Sequence, residues 1–183
     1  MLRRLAAIVS MFLALPAMAE ATGKVVGADG APVVGADVCI YSSGQKINCV
    51  TTDDSGHYRM ENPTLPNLLI QAKGYTTKMV VAEPQKEPIV LTRTAILLVK
   101  VVDAITGEPI SKGSVSVSLP SGRKVGSPVP FNRAGVRLST LAPGETMVRA
   151  EAEGYEPGGP LVVDLPPGEE KTVVVPMRKL SSK

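Results

Sequence analysis

The sequence predicts an all-β protein, with two β-sandwich domains of one kind in tandem behind a signal peptide. Three observations carry that expectation. The first is an internal repeat: Lys24-Val25-Val26, Gly30-Ala31-Pro32-Val33 and Ala36-Asp37-Val38 recur as Lys100-Val101-Val102, Gly107-Glu108-Pro109-Ile110 and Gly113-Ser114-Val115. Ala72-Lys73-Gly74-Tyr75 recurs as Ala152-Glu153-Gly154-Tyr155. The spacing from Pro32 to Pro109 and from Tyr75 to Tyr155 differs by only about three residues, as expected of two copies of one unit. Second, short apolar segments alternate with clusters of turn formers, and no segment has the spacing of a long amphipathic helix. Third, the N-terminus has the order of a secretion signal: basic Arg3 and Arg4, apolar Leu5 to Leu15, then the small-residue site Ala17-Met18-Ala19.

From the N-terminus inward, residues 1–19 are read as a cleaved signal peptide, because the apolar run is shorter than the roughly 20 residues a membrane span needs. No second apolar segment of that length follows, so no membrane span is expected after signal removal. The first domain is placed at residues 20–94. Its strands are expected at Gly23 to Gly27, Ala36 to Tyr41, Ile47 to Thr52, His57 to Met60, Leu68 to Ala72, Lys78 to Val81 and Ile89 to Thr92. Between them lie Ala28-Asp29-Gly30, Ser42-Ser43-Gly44, Asp53-Asp54-Ser55-Gly56 and Pro63-Thr64-Leu65-Pro66-Asn67, all turn chemistry. The second domain is placed at residues 95–183. There Leu97 to Val102, Thr146 to Ala150 and Thr172 to Val175 are rich in β-branched residues, and Ser114 to Leu119 alternates strictly. The boundary near Arg93-Thr94-Ala95 has no Gly/Ser or Pro-rich spacer, so the domains are expected to abut.

The chain has 183 residues, with 20 Lys+Arg against 17 Asp+Glu. Loss of Arg3 and Arg4 with the signal reduces the net charge from +3 to a single cation, and no polybasic run exists. That excludes a nucleic-acid footprint. With no Trp, two Phe and four Tyr, the cores must be built from Val, Leu, Ile and Ala.

The ordered set Gly23, Val25, Gly30, Pro32, Val33, Gly35, Ala36, Val38, then Thr52, Asp53, Gly56, Tyr58, then Leu65, Pro66, then Ala72, Gly74, Tyr75 resembles the carboxypeptidase regulatory-like domain family. The second copy matches at Gly107, Pro109, Ile110, Val115, Gly135, Leu141, Pro143, Gly154 and Tyr155, but has Phe131-Asn132 in place of the Thr-Asp pair, a divergent member. The resemblance implies a seven-stranded transthyretin-like (prealbumin-like) sandwich, generally a non-catalytic unit. The same residues have a direct physical reading. Gly30 and Gly107 permit positive φ in the first turn, Pro32 and Pro109 stiffen its exit, and Gly56 and Gly135 close an Asp/Asn turn. Tyr75 and Tyr155 are expected to end a strand with the ring over the core edge.

Cys39 and Cys49 are the only cysteines, an even pair in an exported chain on neighbouring strands, so a disulfide is expected. His57 is the only histidine and is read as a surface residue; Asp53-Asp54-Ser55-Gly56 is read as a turn rather than a calcium loop. No convergent set of His, Cys and acids exists to build a nucleophile with its base or a zinc centre, so no catalytic, cofactor-binding or metal residue is assigned. The expected function is that of a non-catalytic interaction or structural module, periplasmic or secreted, whose partner is another protein of the cell envelope. The alternative is polysaccharide, disfavoured by the scarcity of aromatic platforms. Specific function should lie where the copies differ: the Cys39/Cys49 pair and Asp53-Asp54 in the first, the loops with Arg123-Lys124 and Arg133 in the second.

Overall fold

A computed structural model describes residues 20–64 and 66–181. The expected signal peptide at residues 1–19, and Leu65 of the Leu-Pro pair, lie outside the described residues. The first seven strands are β1 (Glu20–Gly27), β2 (Asp37–Ser42), β3 (Gln45–Thr51), β4 (His57–Glu61), β5 (Asn67–Gln71), β6 (Lys78–Val81) and β7 (Ile89–Leu91). The next seven are β8 (Ala95–Asp103), β9 (Gly113–Ser118), β10 (Val129–Phe131), β11 (Val136–Leu141), β12 (Gly144–Glu151), β13 (Gly158–Leu165) and β14 (Glu170–Met177).

The sheet orders repeat as the sequence does. A three-stranded sheet β4-β1-β7 and a four-stranded sheet β3-β2-β5-β6 form the first unit; β11-β8-β14 and β10-β9-β12-β13 form the second. Each unit pairs its first strand antiparallel to its fourth and parallel to its seventh. Each has its own core. Val25, Val38, Ile40, Met60, Leu68, Ile70 and Leu91 fill the first; Leu97, Val99, Val115, Val148, Leu165, Val175 and Met177 fill the second. The all-β, two-sandwich architecture agrees with the sequence. Three strands lie where none was expected, β10, β11 and β13; β13 begins Gly158-Gly159-Pro160, which reads as a break, and holds a cis bond at Gly159-Pro160.

Turn chemistry accounts for the connections. Ser43 and Gly44 both have positive φ (49° and 81°), as a two-residue hairpin between β2 and β3 requires. Asp53 Oδ1 accepts from the N–H groups of Ser55 (2.9 Å) and His57 (2.8 Å), and the Gly56 N–H closes the turn onto Asp53 C=O. Asn132 plays the same part in the second unit, accepting from Ala134 N–H at 2.8 Å, with the Gly135 N–H on its carbonyl. A Cβ on Gly56 would sit 2.5 Å from Val25 O, and one on Gly135 2.3 Å from Val99 O. Those two glycines are therefore demanded twice, by φ and by space.

Tyr75 and Tyr155 correct one expectation. They do not end strands; each closes a turn, its N–H donating to Ala72 C=O or Ala152 C=O, and bridges the segment after the unit's last strand at Arg93 or Lys179. The physical cause is the preceding glycine, whose positive φ (82° at Gly74, 79° at Gly154) turns the chain out of the sheet. Thr94 joins the units, its N–H donating to Gly74 C=O and its carbonyl accepting from Gly168 N–H.

One exchange separates the units internally. In the first, buried Thr52 accepts from Ala36 N–H (2.8 Å) and donates to Val33 C=O (2.6 Å). In the second, Phe131 takes the place of Thr52 and Gly113 that of Ala36. The ring lies where a Gly113 Cβ would be, with Cζ 2.5 Å from that point. A hydroxyl that closes two backbone groups is traded for an aromatic ring, and the facing residue loses its Cβ to admit it.

Candidate functional site

Strand alternation assigns β2, β3, β5 and β6 one face toward the core and one away from it. Val38, Ile40, Leu68 and Ile70 point inward. Outward, the register aligns Cys49, Cys39, Leu69 and Met79 in a row across all four strands. The two sulfurs are bonded at 2.03 Å, as expected from the sequence. Cys39 is fully buried beneath its neighbours, Cys49 is exposed, Leu69 half-buried and Met79 52% exposed. The adjacent row is Lys46, Tyr41, Asn67 and Val81, the last also 52% exposed. Tyr41 pairs with Asn67 by continuation of the β2–β5 ladder.

By alternation the face carries two charged side chains, Asp37 and Lys46. They lie 4.0 Å from each other, so it presents an apolar row with no uncompensated charge. In the second unit the row corresponding to Cys39 and Leu69 is Ser116 and Arg149, polar and charged. The units share topology and core; this outward row is where they part. Met79 and Leu69 were missed by sequence reasoning, although Leu68-Leu69-Ile70 and Met79-Val80-Val81 are unbroken apolar runs, the mark of strands apolar on both faces.

The other sequence candidates do not assemble into a reaction centre. His57 is exposed, its Nδ1 4.0 Å from Asp53 Oδ1, and that carboxylate is committed to its turn. Hydrogen bonding, first from the His57 N–H, holds the Asp53 carboxyl below its ordinary value. Asp54 is exposed beside it. The use of Asn132 at the equivalent place marks this as turn chemistry, which needs no cation. Among the described residues no three His, Cys, Asp or Glu converge to hold a metal ion, and no helix is long and apolar enough to cross a membrane. Arg123 and Lys124 lie in the β9–β10 connection, where Leu119 N–H donates to Arg123 C=O. Arg133 lines an open cleft of about 780 Å³ with Lys112, Glu151, Glu153, Ile110 and Tyr155. Tyr155 Oη donates to Asp103 Oδ2 at 3.2 Å. The cleft walls carry both signs of charge, so they select neither anions nor cations.

Comparison with known proteins adds little to this picture. No family model matches the chain, and no curated protein matches it. Among solved structures, a streptococcal ancillary pilin is similar over 90% of this chain and 63% of its own, at 16% identity and a TM-score of 0.49. The Bacillus anthracis TIE protein is similar over 89% and 34%, at 18% identity and 0.43. The shaft pilin SpaA of Lactobacillus rhamnosus GG is similar over 91% and 100%, at 12% identity and 0.43. The chain thus spans less than two thirds of the first two. Scores and identities this low support no inference about its role, which rests on its own residues.

Proposed function

We propose that the protein is an exported, non-catalytic interaction module of the cell envelope, periplasmic or secreted, which holds another protein through the outward face of the β3-β2-β5-β6 sheet. The observation that carries this reading is the row Cys49–Cys39–Leu69–Met79, apolar in the first unit where the second has Ser116 and Arg149. Its partner is a protein surface with an uncharged apolar strand or loop, since Asp37 and Lys46 neutralise each other and leave nothing to attract a polyanion. Residues 20–94 and 95–183 are read as two domains of the carboxypeptidase regulatory-like kind, a reading supported by the shared strand order and the shared Gly56/Gly135 turn. In this arrangement the second domain is a spacer and the first is the binder.

The test makes the outward row polar, giving Leu69 the residue of its counterpart Arg149 and Met79 a serine. In native extracts of the envelope, the wild-type protein should migrate in a complex larger than itself. The Leu69→Arg/Met79→Ser variant, with its disulfide and fold intact, should migrate at its own size. A wild-type protein that already migrates alone, or a variant that stays in the complex, contradicts the proposal.

A further inference from the structure

The disulfide secures an edge strand that little else secures. β3 is exposed along nearly its whole length, and of its side chains Val50 alone packs partly against the core. Its counterpart β10 ends in Phe131, only 5% exposed and seated over Gly113. The corresponding Thr52 lies beyond the end of β3. Besides the buried Thr52 anchor directly after its C-terminal end, what holds β3 is its ladder to β2, the exposed Asp37–Lys46 pair, which adds little in water, and the Cys39–Cys49 bond. The hairpin is also under backbone strain. Ser43 and Asn48 have φ of 49° and 44°, and Asn48 is the extra residue of a bulge between the Cys39–Cys49 and Ile40–Ile47 pairs. The two sulfurs are unequal, Cys49 lying at the surface and Cys39 beneath it.

We infer that the Cys39–Cys49 bond is a redox latch: a dithiol reductant opens it, β3 swings free, and the edge of β2 is bared while the remaining strands stay folded. The thiolate of the dithiol attacks Cys49 Sγ, the S–S bond breaks, and Cys39 leaves as a thiolate and takes a proton. The second thiol of the reagent then resolves the mixed disulfide, releasing Cys49 as a thiol and leaving the reagent as a cyclic disulfide. Lys46 and the Asn48 bulge, which blunt the β3 edge against foreign strands, depart with it. β2 pairs with β5 in unbroken register and has no such device, so reduction leaves its edge unblunted.

Hydrogen exchange and alkylation of the purified protein, with and without dithiothreitol, test the latch. Reduction should speed exchange in residues 45–51 by about a hundredfold, the effect expected of a bond closing so short a loop. Protection in β1, β5 and the second unit should not change. Iodoacetamide should then modify Cys39 as fast as Cys49. A β3 that keeps its protection, with Cys49 alone alkylated, overturns the inference. So does loss of protection throughout the first unit, which would make the bond a support of the whole sandwich. The Cys39→Ser/Cys49→Ser variant should match the reduced protein without any reductant; a protected β3, or failure of the variant to fold, refutes the latch equally.

Discussion

Tyr58 shows how far one side chain can depart from the rule that buried polar groups are paired. It is 3% exposed on β4, opposite Gly23, with its ring where a Gly23 Cβ would be; among the described residues its Oη is the buried side-chain atom with no hydrogen-bond partner. Burial also pushes the phenol's pKa up. An unpaired buried hydroxyl costs stability, so Tyr58→Phe should raise the unfolding free energy by about 1 kcal/mol, read as a higher urea midpoint; a lower midpoint would mean the hydroxyl has a partner. Thr52→Ala should do the opposite. It strands the Ala36 N–H and the Val33 C=O, at a cost of about 1–3 kcal/mol by urea titration. Asp103 links residue chemistry to pH. The N–H groups of Thr106 and Ile105, then Tyr155 Oη, hold its carboxyl below the ordinary value, as the His57 N–H does for Asp53. A depressed folded pKa means stability that is present above the unfolded carboxylate value and lost as pH falls through the folded one. The urea midpoint should therefore fall below about pH 4, and Asp103→Asn should flatten part of that fall. An unchanged acid profile in the variant would show that Asp103 contributes nothing.

At the scale of strands and turns, most of the fold was legible because turn residues punctuate it. Asp53 and Asn132 announce equivalent turns, and Gly56 and Gly135 occupy places where no other residue fits. Gly30 has a similar φ of 78° but open space around it. Gly30→Ala should thus cost only the left-handed penalty of about 1–2 kcal/mol. Gly56→Ala adds a clash with Val25 O and should cost clearly more by thermal unfolding; equal costs would contradict the packing described. The β13 strand was not legible, because Gly158, Gly159 and Pro160 carry the local signal of a break while the ladder to β12 overrides it. Nor was the apolar row: Cys39, Leu69 and Met79 come from three strands, and only the cross-strand register brings them into line.

Across the molecule, the repeat is a repeated scaffold with divergent surfaces. The cores are built from separate residues, and the strand orders match. Residues 20–94 expressed alone should accordingly unfold cooperatively with the Cys39–Cys49 bond formed; a fragment that stays unfolded without residues 95–183 would contradict the proposed division. The repeat was plain in the sequence because its turns and core positions recur, whereas the difference on which the proposed function rests lies on one face and recurs nowhere. The most direct test of that difference is photocrosslinking in living cells, with a benzophenone amino acid at Met79 in the first unit and, in parallel, at the still more exposed Val162 of β13 in the second. A discrete protein adduct from position 79 and none from position 162 is the predicted result. No adduct at either position, or the same adduct at both, would contradict the assignment of the binding face to the first unit.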